Sequence, residues 1–182
     1  KWCWSNMKSL VLIGGGGHCR SCIEVIESTG LFKIEGIIDN EISHTETCLG
    51  YPVIGSDKDI DKIKTMKAMA LITIGQIHSA DKRKKLYEIL NSQGIDVAVI
   101  KASSSAVSRY STIKEGSIIM HGAVVNACAN IGINAIINSM ALIEHDAQIG
   151  DHCHISTGAR INGNVKIGDG CFVGSGAIIY LI

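Results

Sequence analysis

The chain has no excess charge of either sign: 17 Lys and Arg residues balance 17 Asp and Glu. Its basic residues are not massed in one stripe, so the electrostatic footprint of a nucleic-acid binder is missing and neither DNA nor RNA is expected as a partner. Long apolar runs are missing as well. None approaches the roughly 20 residues of a membrane-spanning helix, and the N-terminus lacks a basic region followed by a long apolar core. No membrane association is expected, and the reading is a cytoplasmic protein. A disulfide framework is the third absence. The 7 cysteines are odd in number, and Cys3, Cys19, Cys22, Cys48, Cys128, Cys153 and Cys171 are scattered, which reads as free thiols.

What is present is 182 residues of 46% hydrophobic content, enough to bury the cores of two small domains. The second half carries a β-branched aliphatic at every sixth position from Val107, Ile113, Ile119 and Val125 through to Val173 and Ile179. A helix repeats its apolar positions near 3.6 residues and a flat strand at two, so a period of six fits neither. A solenoid fits, with one buried site per unit. Small residues recur two places before each of these aliphatics, among them Ser117, Ala123, Ala129, Ala135, Cys153 and Cys171, with Val165 as a larger exception. Corners of a narrow prism need small residues. Gly132, Gly150, Gly168 and Gly174 each follow a ladder aliphatic, where backbones are expected to approach closely.

The first half reads differently. Ser9 to Ile13 is a short apolar run followed by Gly14 to Gly17, His18 and a helical pattern through Ile23, Val25 and Ile26. Apolar runs at 34–38 and 70–74, helix-like residues 81–93 and a further strand at 97–100 complete an alternation that implies a parallel, Rossmann-like α/β sheet. Glycines at the first turn let backbone N–H groups meet a phosphate, and Asp39 after the second strand is placed to reach a sugar or base. A carboxylate ending a strand is more often simply solvated. Cys19-Arg20-Ser21-Cys22 has dithiol spacing, but a nucleotide-type turn is the wrong setting for redox chemistry.

Four histidines, His121, His145, His152 and His154, fall in the repeat. His145 lies between Glu144 and Asp146, and a carboxylate bonded to an imidazole fixes its tautomer and raises its basicity, as a general base near neutral pH requires. On composition alone, a solvated histidine with chance acidic neighbours is the commoner case. His152 and His154 alternate along a strand without a third ligand at sensible spacing, so no metal is expected. His121 falls on another face and reads as solvated or lying on an assembly axis. Cys153 and Cys171 belong to the small-residue series, which explains them better than a nucleophilic role.

The repeat resembles the hexapeptide-repeat family, whose fold is a left-handed parallel β-helix with three hexads per coil. From Met7 onward the chain resembles the sugar O- and N-acetyltransferases of the sialic-acid and bacillosamine type. The matching motifs are Gly16-Gly17-His18, Asp39-Asn40, Gly75, the stretch from Asn138 to His145-Asp146, Ile149 to Ala159, and Gly163 to Gly168. The resemblance implies that His145 is the general base, that Asp146 raises its basicity and that Asn138 helps orient it. It places His154, Gly163 and Ser175 at the acetyl-CoA site, and Gly16, Gly17, His18, Asp39, Asn40 and Gly75 at a sugar-nucleotide site. Ser175 departs from the family's usual residue, and Asp146 is often Glu.

The resulting expectation is an acetyl-CoA-dependent acetyltransferase that transfers acetyl directly to the amine of a nucleotide-activated amino sugar in surface-glycan synthesis. Sialic acid O-acetylation is the runner-up, and a noncatalytic trimeric partner of a sugar-biosynthesis enzyme stands as a reading of another class. His145 and His154 lie nine residues apart, half a coil, and should diverge on one prism. A homotrimer with sites between subunits resolves this. Residues 1–6 are expected to be a tag or upstream segment, 7–104 the Rossmann-like domain, and 105–182 a β-helix lacking further C-terminal coils.

Overall fold

The computed structural model describes residues 7–42, 46–76 and 78–180. The expected tag at 1–6 lies outside the described residues. Strand β1 (Lys8–Ile13) pairs in parallel with β2 (Phe32–Ile38) on one side and β5 (Met69–Ile72) on the other. Beyond β2, β4 (Tyr51–Gly55) is parallel and β3 (Thr47–Cys48) antiparallel to β4, giving the order β3-β4-β2-β1-β5. Leu10 to Ile13 are fully buried, as expected of the central strand of a parallel sheet covered on both faces. Helix α1 (Gly17–Thr29) turns Cys19, Cys22, Ile23, Val25 and Ile26 inward. These positions recur at helical spacing, and Gly30 ends the helix in the left-handed region. Helix α2 (Asp61–Thr65) and, from Leu86 on, helix α3 (Asp81–Ser92) complete this half.

From Ile100 onward the chain forms a parallel β-helix of two-residue strands in three sheets. One sheet carries the strands ending at Val107, Val125, Ile143, Ile161 and Ile179. A second carries those ending at Ile113, Ile131, Ile149 and Ile167, and a third those ending at Lys101, Ile119, Ile137, Ile155 and Val173. Val125 pairs with Ile143, eighteen residues on, and the same offset holds between Ile137 and Ile155. The ladder aliphatics and the small corner residues Ala123 to Ala159 together form one apolar core. Each is too small a unit to bury its own face, so stacking supplies the core.

The expected strand at 97–100 does not form as one element. Val97 makes a single parallel bridge to Ala70, while Ile100–Lys101 opens the first coil by pairing with Ile118–Ile119. The coil starts before the aliphatic ladder does because its ladder position is occupied by Lys101, which the apolar pattern could not reveal. The chain clusters into two compact units. Residues up to Gly75 join with Leu86–Ala98, and Gln76–Lys85 joins with Val99 onward. A ten-residue segment remote in sequence therefore belongs with the repeats.

Candidate active site

From Gly116 to Gly176 each corner of the β-helix is a two-residue turn whose second residue is left-handed. Asp146 occupies such a position at φ 61, a conformation that Asp tolerates better than most residues. The turn lifts His145 and Asp146 out of the prism, and His145 Nδ1 lies 2.8 Å from Asp146 Oδ2. Both side chains are exposed in the single subunit. Glu144, the other neighbouring carboxylate, turns away and accepts a bond from Asn126 Nδ2 at 2.7 Å. One coil further on, Gly163 lies under the His145 ring. A Cβ at 163 would stand 2.8 Å from Cε1 and 2.9 Å from Nε2, so only glycine leaves the imidazole its place beside Asp146.

Asn138 and His154 form a second group. His154 follows the corner at 151–152 and points outward from the third sheet, yet only 6% of it is exposed. Its Nδ1 bonds the main-chain oxygen of Gln76 at 2.9 Å, its Nε2 lies 3.1 Å from Asn138 Nδ2, and Phe172 packs edge-on at 5.2 Å. Burial, with the nearby Arg83 charge, holds the imidazole below its ordinary value although the Gln76 bond opposes this. Ser175 Oγ pairs with Ser156 Oγ at 2.9 Å, and Ser156 sits one coil from Asn138. The topology separates the two groups. His145 stands at the corner between the first and second sheets, while His154 lies on the third, opposite that corner. Thus one chain brings together His145, Asp146 and Gly163, and separately Asn138 and His154.

Gln76 and Arg83 had no signal in the sequence, because neither belongs to a motif and both lie over fifty residues from their partners in the repeats. Arg83, 1% exposed, donates to Gln76 Oε1, to the His152 and Asn134 carbonyl oxygens and to Asn134 Oδ1. Gln76 Nε2 donates to the Gly170 oxygen at 2.8 Å. The segment thereby fastens three successive corner turns.

In the N-terminal unit, Gly16 and Gly17 are exposed at the start of α1, with nothing near where a Cβ would project and no side-chain cap. The Asp39 carboxylate holds the glycine turn, accepting from Gly15 N–H at 2.7 Å, and its other oxygen accepts from Glu41 and Ile42. Asn40 pairs with Asp57 through both ends of its carboxamide. Gly75 lies against the His18 side chain, so these two are brought together. The buried thiols Cys19, Cys22, Cys48 and Cys153 behave as structural residues, whereas Cys128 and Cys171 are exposed, so packing in the corner series accounts for Cys153 but not for Cys171. Burial pushes Cys19 up to about 12 and Cys153 up to about 11. A groove of about 570 Å³ along the second sheet is lined by Asn130, Gln148, Asp151 and Lys166, and by neither His145 nor His154.

The PglD N-terminal domain family matches residues 9–90, and the bacterial transferase hexapeptide family (six repeats) matches residues 146–180. The chain thus joins a Rossmann-like N-terminal domain of PglD type to a left-handed hexapeptide β-helix. This is the make-up of the hexapeptide-repeat sugar acetyltransferases that its motifs resemble. Among solved structures, a variant of perosamine N-acetyltransferase from Caulobacter crescentus, in complex with CoA and GDP-perosamine, is 28% identical. The match covers 94% of this chain and 88% of that one, with a TM-score of 0.82. The acetyltransferase domain of PglB from Neisseria gonorrhoeae has the same fold at 24% identity, covering 95% and 91% of the two chains with a TM-score of 0.84. WeeI from Acinetobacter baumannii does so at 22%, covering 96% and 81% with a TM-score of 0.79. No curated protein matches the chain.

Proposed function

We propose that this protein is an acetyl-CoA-dependent acetyltransferase acting on the amine of a nucleotide-linked amino sugar. The observation that carries the reading is the His145–Asp146 pair, 2.8 Å apart and seated on Gly163, in a chain similar over 94% of its length to a protein crystallised with CoA and GDP-perosamine. That likeness favours an amine acceptor over the hydroxyl of sialic acid. Asp146 accepts from Nδ1–H and leaves the Nε2 lone pair as the base. The sugar amine attacks the thioester carbonyl and His145 Nε2 takes its proton. Backbone N–H groups steady the oxyanion, and the C–S bond breaks to release the CoA thiol. No acetyl-enzyme is needed, and the buried, protonated Cys153 supports this.

The separation of His145 from Asn138 and His154 within one subunit supports a homotrimer. Its sites would join the His145 corner of one protomer to the Asn138 face of the next, with acetyl-CoA held near His154, Gly163 and Ser175. The sugar nucleotide's phosphates would meet the uncapped start of α1 at Gly16, Gly17 and His18. Asp39 and Asn40 shape that site by holding the glycine turn and the 57–59 turn, and Gly75 by admitting His18. The product would feed surface-glycan synthesis.

Thiol release from acetyl-CoA, measured with a panel of UDP-, GDP- and dTDP-linked 4-amino sugars and with free sialic acid, tests this. Turnover with an amino sugar that His145→Ala abolishes is the expected result. Turnover only with sialic acid would move the acceptor to a hydroxyl. A folded protein that neither binds CoA nor releases thiol would favour the noncatalytic partner.

A further inference from the structure

We infer that Gln76, held in place by the buried Arg83, is a positioning residue that sets the tautomer of His154 and through it the orientation of Asn138. The inference rests on the acetyltransferase reading only in calling Asn138 part of the reacting cleft. The geometry is a single chain of donors and acceptors. A main-chain oxygen can only accept, so the 2.9 Å bond from His154 Nδ1 to Gln76 O puts the ring proton on Nδ1. The Nε2 lone pair then faces Asn138 and can only accept, so the carboxamide must present its nitrogen there, 3.1 Å away. Asn138 Oδ1 is correspondingly free to take the Ser139 N–H at 2.8 Å. With the proton on Nε2 instead, N–H would face N–H. Turning the carboxamide over would then set its NH₂ against Ser139 N–H. Only one tautomer satisfies both contacts, and Gln76 selects it.

The Gln76 main chain would not hold that position unaided, because it belongs to an irregular segment before α3. Its side chain is fixed at both ends, by the Arg83 guanidinium at 2.9 Å and by the Gly170 oxygen at 2.8 Å. Arg83 in turn bridges the Asn134 and His152 corners. A buried guanidinium whose two terminal nitrogens are both engaged by main-chain and carboxamide oxygens is held rigidly, and moving it would strand several polar groups. Asn138 is half-buried, so its carboxamide, once oriented by His154, is not wholly shielded from a molecule bound beside its coil.

Nitrogen-15 NMR of the histidine rings in the full-length protein tests this, with the His154 signals assigned by their loss in His154→Gln. Wild type should show Nδ1 protonated and Nε2 as a lone pair. Arg83→Lys and Gln76→Ala should shift His154 toward the Nε2–H form and lower kcat roughly tenfold, with KM for both substrates little changed. If the buried Arg83 variant fails to fold, the wild-type spectrum and Gln76→Ala still decide. Nε2–H or an averaged pattern in wild type would overturn the inference. So would variants that melt earlier yet keep the tautomer and kcat. The ring spectrum needs no substrate, so a failure of acetyl transfer would leave this result standing on its own.

Discussion

At the scale of single residues, two histidines in one repeat have opposite environments. His145 is exposed and bonded to a carboxylate; His154 is buried and bonded to a carbonyl oxygen and an amide. Asp146→Asn keeps the size and removes the charge that, on the proposed mechanism, would steady the imidazolium. Steady-state kinetics should show kcat lower by roughly tenfold to a hundredfold, with little change in CoA affinity. His154 makes a pH prediction. Its folded-state value, like that of His152, is depressed below the ordinary 6.5. Between the folded and unfolded values the unfolded chain therefore binds more protons, and stability rises with pH. Stability should be full above about pH 6.5 and decline as the pH falls through that value. Melting temperatures followed from neutral to acidic pH should show this decline, and His154→Gln should make it shallower. A flat profile in wild type would show that neither histidine is linked to folding.

At the scale of the coil, stacking at eighteen-residue intervals decides which glycines are structural. A Cβ at Gly132 would lie 2.5 Å from Asp151 Oδ1 and 2.6 Å from the Gly150 carbonyl carbon, whereas nothing lies within 4 Å at Gly168. The same column is tied by Ile133 N–H to Asp151 Oδ1 at 2.7 Å and Asp151 N–H to Asp169 Oδ1 at 2.8 Å. Gly132→Ala should therefore cost about 1–3 kcal/mol through forced backbone movement, and Gly168→Ala should change stability little. Denaturant unfolding of the pair checks this, and equal effects would show that coil spacing is not what Gly132 protects. In the sequence all four glycines of the series looked equivalent. The difference arises from what the next coil places opposite each one.

At the scale of the whole molecule, the proposed trimer makes a prediction no monomeric site would. His145→Ala damages the corner and Asn138→Ala the face, so each homotrimer should be inactive. Mixed trimers would contain some sites with an intact corner from one chain and an intact face from another. Co-expression at equal amounts should restore about a quarter of wild-type activity if subunits assort at random. Light scattering would give the mass of the assembly, and absence of any restored activity would place the whole site within one chain.

The β-helix was legible because its period of six is written in side chains that each face the same core, from Val107 to Ile179, and local spacing suffices to read it. The strand, glycine turn and helix from Lys8 to Thr29 were legible for the same reason, since hydrophobic periodicity and turn chemistry are local. The first coil at Ile100–Lys101 was hidden by its lysine, and the boundary of the expected strand at 97–100 depended on which partner each residue found. Tertiary structure alone assigned Gln76 and Arg83 to the repeats and turned Asn138 toward His154. It also spent the Asp39 and Asn40 side chains on holding turns. These are outcomes of long-range hydrogen bonding between segments far apart in the chain, and a residue's own neighbours in sequence carry no record of them.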